Sequence, residues 1–102
     1  MEHKLSDYEI CKSDSSKRKG LMFARPKTLV FEYEEEVQVS LHMFFVFYSI
    51  DVLFLDKDKV IVEIKKNFRP FTFYTATVKS SYVVEIPHAM NSNMMVGDKI
   101  NL

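Results

Sequence analysis

Residues 40–56 read SLHMFFVFYSIDVLFLD, an apolar and aromatic strip interrupted by His42, Asp51 and Asp56. Three surroundings would suit such a strip: a bilayer, the wall of a binding site, or a protein core. Eight uncharged residues, Met43 to Ile50, separate His42 from Asp51, whereas a spanning helix needs about 20. An aspartate at mid-bilayer costs on the order of 2.5–3.5 kcal/mol in addition. The strip is therefore not a membrane helix, and the patterns on either side of it make it core.

Those patterns have a period of two. Leu29, Phe31 and Tyr33 alternate with Val30, Glu32 and Glu34, and Val37, Val39, Leu41 and Met43 alternate with Gln38, Ser40 and His42. Successive side chains of a strand point to opposite faces, so this is the signature of half-buried strands. Glu34-Glu35-Glu36 between them predicts an exposed hairpin turn. Phe44 to Ser49 breaks the alternation and is expected to be a loop or bulge buried on both faces, its rings filling a corner between strands. Beyond it Ile50, Val52 and Phe54 share one face, and Asp51, Leu53 and Leu55 the other. The polar turn Asp56-Lys57-Asp58-Lys59 leads into Val60, Val62 and Ile64, so residues 50–65 form a hairpin.

The rest of the chain is read the same way. Pro70 lacks the N–H that a central strand needs, and the rings of Phe68, Phe71, Phe73 and Tyr74 predict a packed loop with a short strand near 72–77. Tyr82, Val84 and Ile86 make a further strand ending at Pro87. Residues 88–95 suit a short helix, with Met90 and Met94 one turn apart, and Ile100 and Leu102 a last strand. Upstream, Tyr8 to Lys12 reads as a strand and 14–22 as a short helix capped by Ser13 or Asp14, whose side-chain oxygens can accept from the first backbone N–H groups.

A chain of 102 residues is expected to form one domain over 1–102. Short strands without long helical crossovers predict a mainly β fold, a small and mostly antiparallel β-barrel or sandwich with one or two short helices. Cys11 is the one cysteine, so no internal disulfide can form. That suits a reducing compartment. The start MEHKLSDYEI lacks the apolar run of a secretory signal, and a cytoplasmic location is expected. Fourteen basic residues balance 14 acidic ones, which argues against a strong overall field toward nucleic acid or membrane.

Five segments then occur in a telling order: KGLMFAR (Lys19 to Arg25), LVFEY (Leu29 to Tyr33), the opening strip, VVEIPHAM (Val83 to Met90) and VGDKI (Val96 to Ile100). Together, over about 17–100, they resemble the domain-of-unknown-function 192 family of bacterial and archaeal proteins. The resemblance implies a compact, β-rich, barrel-like domain and no established activity. Many members carry a tryptophan, methionine, lysine and asparagine in the central motif, then a proline before the aspartate. Here those places hold His42, Met43, Phe44, Phe45 and, ahead of Ile50-Asp51, Ser49. Any role of that lysine–asparagine pair is absent or altered in this chain.

Candidate sites are few. Asp51 stands among apolar neighbours, and a buried carboxylate is costly unless it is hydrogen-bonded or paired. It is expected either to bind a ligand or serve as a general acid or base, or to accept hydrogen bonds from backbone N–H groups or pair with a base such as Arg25. Met22, Met43 and Asp51 are the candidate walls of a ligand pocket. His3, His42, His88 and Cys11 have no metal-ligand spacing, so no metal and no cofactor are expected. Two glycines cannot make a phosphate loop, and no serine lies in a nucleophile elbow. Residues 12–27 hold six basic residues, including Lys17, Arg18, Lys19, Arg25 and Lys27, against Asp14 alone, a local charge of +5. With the aromatic loop Asn67 to Tyr74 this patch is the alternative reading, single-stranded nucleic-acid binding. The leading reading is a non-enzymatic domain that binds a small ligand or a protein partner.

Overall fold

The computed structural model describes residues 1–5, 7–12, 25–90 and 93–102. Along them run β1 (Glu2–Lys4), β2 (Tyr8–Cys11), β3 (Thr28–His42), β4 (Ile50–Leu55), β5 (Ile61–Phe68), β6 (Phe73–Pro87) and β7 (Lys99–Asn101), with a 3₁₀ turn at His88–Met90. Five strands form one sheet in the order β2-β3-β6-β4-β5, and β1 pairs with β7 separately. Strand β2 runs parallel to β3, and the other junctions of the large sheet are antiparallel. The chain is thus mainly β, as expected, but its sheets are mixed. Closure into a barrel is not found among the described residues, because β2 and β5 stand at the two ends of the order.

Strand β4 is buried at all six positions, so the sheet needs cover on both faces. The alternation predicted for residues 50–55 decides which side chain goes where. Ile50, Val52 and Phe54 join Leu29, Phe31 and Val83 in one cluster, closed by Val39, Met43, Val46, Phe68 and Ala76. Leu53 and Leu55 join Val30, Val84 and Ile86 in the other, covered by Ile61, Met94, Ile100, Leu5 and Leu102. The β1–β7 pair is thus the lid of the second face. Asp98 fastens it by accepting from His3 Nε2 (2.8 Å) and the Met95 N–H (3.1 Å), and these contacts hold its carboxyl below the usual range.

Two long strands replace elements that were expected to be separate. Glu34-Glu35-Glu36 is exposed, as expected, yet the chain does not reverse there. Between the pairs Glu32–Tyr82 and Val37–Ser80, residues Tyr33 to Glu36 face Ser81 alone. The triplet is a bulge in β3, because pairing with β6 resumes on the far side and keeps the strand going. The expected strands near 72–77 and 82–86 are likewise one strand, β6, which bulges in turn where Ala76 to Val78 face Val39. Of the helix expected over 88–95, the described residues keep the 3₁₀ turn at its start. The helix expected over 14–22 lies outside the described residues.

Side chains take over the backbone groups that the β6 bulge frees. The Glu63 carboxylate accepts from the Thr77 N–H (2.8 Å), the Val78 N–H (3.2 Å), the Thr77 hydroxyl (3.0 Å) and the Tyr74 hydroxyl. Gln38 Nε2 donates to the Ala76 carbonyl at 2.8 Å. Burial pushes the Glu63 carboxyl up, but the hydrogen bonds from Tyr74, Thr77 and Val78 outweigh it and hold the group below its ordinary value.

The aromatic centre of the opening strip is not interior. Met43 and Val46 turn inward, whereas Phe44, Phe45 and Phe47 are exposed, as are Phe71 and Phe73 across from them. Met43, Val46 and Phe68 already fill the core at this end, which leaves the remaining rings outside. The loops 43–49 and 69–72 are stapled through Met43. Its N–H donates to the Thr72 carbonyl, and its carbonyl accepts from Phe71, both at 2.8 Å. Phe45 and Phe71 both sit at a φ of 60°, a conformation that bulky side chains rarely adopt.

Replacing Glu63 with alanine is expected to lower the unfolding free energy by about 1–2 kcal/mol, read as a lower urea midpoint at unchanged m-value. Because the folded carboxyl titrates below the unfolded value of 4.5, its contribution is complete above that pH. The difference between wild type and variant should therefore shrink as the pH falls through the folded pKa.

Candidate functional site

Strands β4, β5 and β6 meet where Ile50 pairs with both Phe68 and Pro87. Proline has no N–H to offer the ladder, so β6 ends at Pro87 and the chain turns aside. The His88 N–H then donates to the Ser49 carbonyl at 2.9 Å. A cavity of about 310 Å³ opens at this junction, lined by Pro26, Tyr48, Ser49, Asn67, Pro87, His88, Ala89 and Met90. The Tyr48 hydroxyl donates to the Arg25 carbonyl at 3.3 Å and ties one wall to the segment before β3.

Asp51 lies behind that wall, 3% exposed. Its Oδ1 accepts the Asn67 N–H at 2.8 Å and His88 Nδ1 at 2.7 Å. The first contact arises because β5 shifts register between the Ile50–Phe68 and Val52–Lys65 pairs and Asn67 takes a φ of 49°. The second fixes the imidazole: with Nδ1–H directed at the carboxylate, Nε2 is the atom left to work. It accepts a hydrogen bond when the ring is neutral and donates one when the ring is charged. Buried carboxylate, half-exposed histidine and apolar walls can therefore hold a small molecule by one polar point, or move a proton there.

Of the pocket walls expected from sequence, Asp51 stands one residue behind this cavity and acts through His88. Met43 is buried in the core and staples the two loops; it does not line the cavity. Met22 lies outside the described residues, as do Lys17, Arg18 and Lys19. Arg25 is exposed beside the cavity wall. Lys27 pairs with Glu9 at 2.9 Å and Lys12 with Glu32 at 3.1 Å, so two described members of the basic stretch already have carboxylate partners. Among the described residues, no three His, Cys, Asp or Glu side chains gather as a metal site.

Sequence reasoning missed His88 as the base beside Asp51, and it missed Glu85. The signal for Glu85 was available: alternation puts it on the face of Val83, opposite Leu29 on one neighbour and Val52 on the other. It is 6% exposed, and burial pushes its carboxyl up to about 8. Once ionised, at high pH, it acts on two hydroxyls. Tyr33 is raised by burial first and by Glu85 next. Tyr48, in the cavity wall, is raised by burial first; the backbone hydrogen bond at Lys27 opposes this, and Glu85 adds a smaller push upward.

The model of the DUF192 family, described as an uncharacterized ACR, matches residues 1–102. The chain belongs to this family. Two UPF0127 proteins show the likeness in sequence. One, from Pyrococcus horikoshii, is 35% identical over 79% of this chain and 74% of its own length. The other, from Thermococcus sibiricus, is 37% identical over 67% of this chain but only 45% of its own length. So the DUF192 chain spans less than half of that relative. A crystal structure of a protein of unknown function from Novosphingobium aromaticivorans has the same fold, with a TM-score of 0.72 at 21% identity over 78% of this chain and 61% of that one. DUF192 is an uncharacterised conserved family, so what the cavity does must be argued from its own chemistry.

Two outcomes test this geometry. Asp51→Ala leaves the Asn67 N–H without its acceptor, so it should lower the unfolding free energy by about 1–3 kcal/mol, read by chemical denaturation. Glu85 binds its proton more tightly folded than unfolded. Its cost is therefore absent below pH 4.5, grows as the pH rises, and is complete above about 8. Glu85→Gln should match the wild type at low pH and exceed it by roughly 3–5 kcal/mol at high pH. Parallel stability curves across that window would rule out a neutral buried carboxyl.

Proposed function

We propose that the protein is a non-enzymatic, cytoplasmic binding domain whose cavity takes a small, mostly apolar molecule carrying one acidic group. The observation behind this reading is the Asp51–His88 pair at a mostly apolar wall. Pro26, Tyr48, Pro87, Ala89 and Met90 supply apolar surface, where burial of a ligand is favourable at roughly 25 cal/mol per Å². The imidazole supplies the polar point. Asp51 holds Nδ1, so Nε2 is the atom that meets a ligand, and an anionic oxygen is the acceptor a charged ring would take. Asn67 and Ser49 add polar rims of the kind that fix orientation in small-molecule sites. Cys11, the single cysteine of the sequence, is buried, which fits a reducing compartment. No helix among the described residues is long and apolar enough to cross a membrane.

Benzoate is a suitable first probe, because it joins a flat apolar body to one carboxylate. In a nuclear magnetic resonance titration it should shift the ring protons of His88 and the methyl of Met90, and His88→Ala should weaken the binding by about tenfold, the value of one charge-assisted hydrogen bond. Native mass spectrometry of protein purified gently should show a co-purifying acid of low mass. Shifts spread over the surface, or unchanged affinity in His88→Ala, would sink the reading.

A further inference from the structure

We propose that the phenylalanine end of the molecule docks on the surface of an anionic membrane. Phe44, Phe45, Phe47, Phe71 and Phe73 are 39%, 46%, 66%, 50% and 72% exposed. Phe44, Phe45, Phe47 and Phe71 lie on the two loops stapled through Met43, and Phe73 opens β6 beside them. Phe44 meets Phe73 edge-on with centroids 5.4 Å apart, and Phe71 meets Phe45 at 6.1 Å and Phe47 at 5.7 Å. An exposed apolar patch on a monomer marks a contact surface. This one is also held in shape. Phe45 and Phe71 keep a left-handed backbone, which bulky residues adopt only where the surroundings enforce it.

Charge selects the partner. Residues 37–50 and 64–84 contain no aspartate or glutamate, while Lys65, Lys66 and Arg69 stand at the end of β5 and in the turn beside Phe71. The nearby carboxylates are occupied: Asp51 by His88 and Asn67, Glu63 by the β6 bulge. The acidic triplet at 34–36 lies some seven residues back along β3, about 20 Å at 3.3 Å per residue. A second copy of this chain meeting the patch face to face would set these cations against their own kind. A single nucleic-acid strand offers negative charge but wants open ring faces for stacking, and here the rings pack edge-on against one another. An anionic bilayer offers negative headgroups directly above an apolar layer, so cations and phenylalanines are satisfied together.

The test is flotation of the full chain with vesicles of phosphatidylcholine and phosphatidylglycerol in equal parts, against phosphatidylcholine alone and against a single-stranded thymidine oligonucleotide. The chain should float with the anionic vesicles, less so as salt rises, and not with the neutral ones. The double variant Phe47→Ser/Phe73→Ser should bind at least about tenfold more weakly, with an unchanged circular dichroism melt because both rings are exposed. Lys65→Glu/Arg69→Glu should weaken binding and flatten its salt dependence. Absence of flotation overturns the proposal, as does equal binding by the phenylalanine variant. Oligonucleotide capture without vesicle binding, or a dimer that the phenylalanine variant dissociates without vesicle binding, overturns it too.

Discussion

Everything else in the molecule is arranged around a six-residue strand that must stay dry on both sides. Ile50–Leu55 is paired with β6 along one edge and β5 along the other, and it has no face to turn to water. One five-stranded sheet cannot cover itself twice. The cover comes from what the sheet does at its ends: β3 and β6 overrun the other strands and contribute Val39 and Ala76 to one side, and the β1–β7 pair brings Ile100 to the other. The parallel pairing of β1 with β7 joins segments far apart in sequence, a slow contact to find but one that seals the second core.

The same demand explains the polar chemistry. A strand buried on both faces tolerates a carboxylate only where the neighbours are bent to meet it. At Asp51 the neighbour is β5, whose register shift brings in the Asn67 N–H, and the end of β6, whose proline lets His88 swing back. At Glu85 there is no such concession, and burial keeps the carboxyl neutral instead. The two acids sit within one stretch of sheet and answer the same problem in opposite ways, one by pairing and one by holding its proton.

How far the sequence was legible follows from this. Period-two alternation placed Leu29, Phe31, Val52, Phe54 and Leu53 on their true faces, because the pleat allows no other arrangement. It did not reveal that Glu34–Glu36 bulges rather than turns, since a charged triplet is equally at home in either; pairing beyond it, at Val37 with Ser80, decides. Length and the aspartates exclude a membrane helix for the opening strip, but the preference of apolar residues for the interior points its rings the wrong way. The core near Met43 was already full, and no local pattern records a volume limit. His88 was invisible as a partner for Asp51 because 37 residues separate them; the ordered motifs carried the family, whereas the pair required three dimensions.

The outer rim of the sheet along β5 has a consequence of its own. Its first residues are tied down, Ile61 to the backbone at Asp98 and Gly97 and Val60 to Lys99. Its later half carries Lys65 and Lys66 and a kink at Asn67. A strand blocked at one end and bent and cationic at the other is a poor template for an incoming chain. Along this rim, a protein that shows five partly exposed rings to solvent offers no flat, open border along which such chains knit into fibrils.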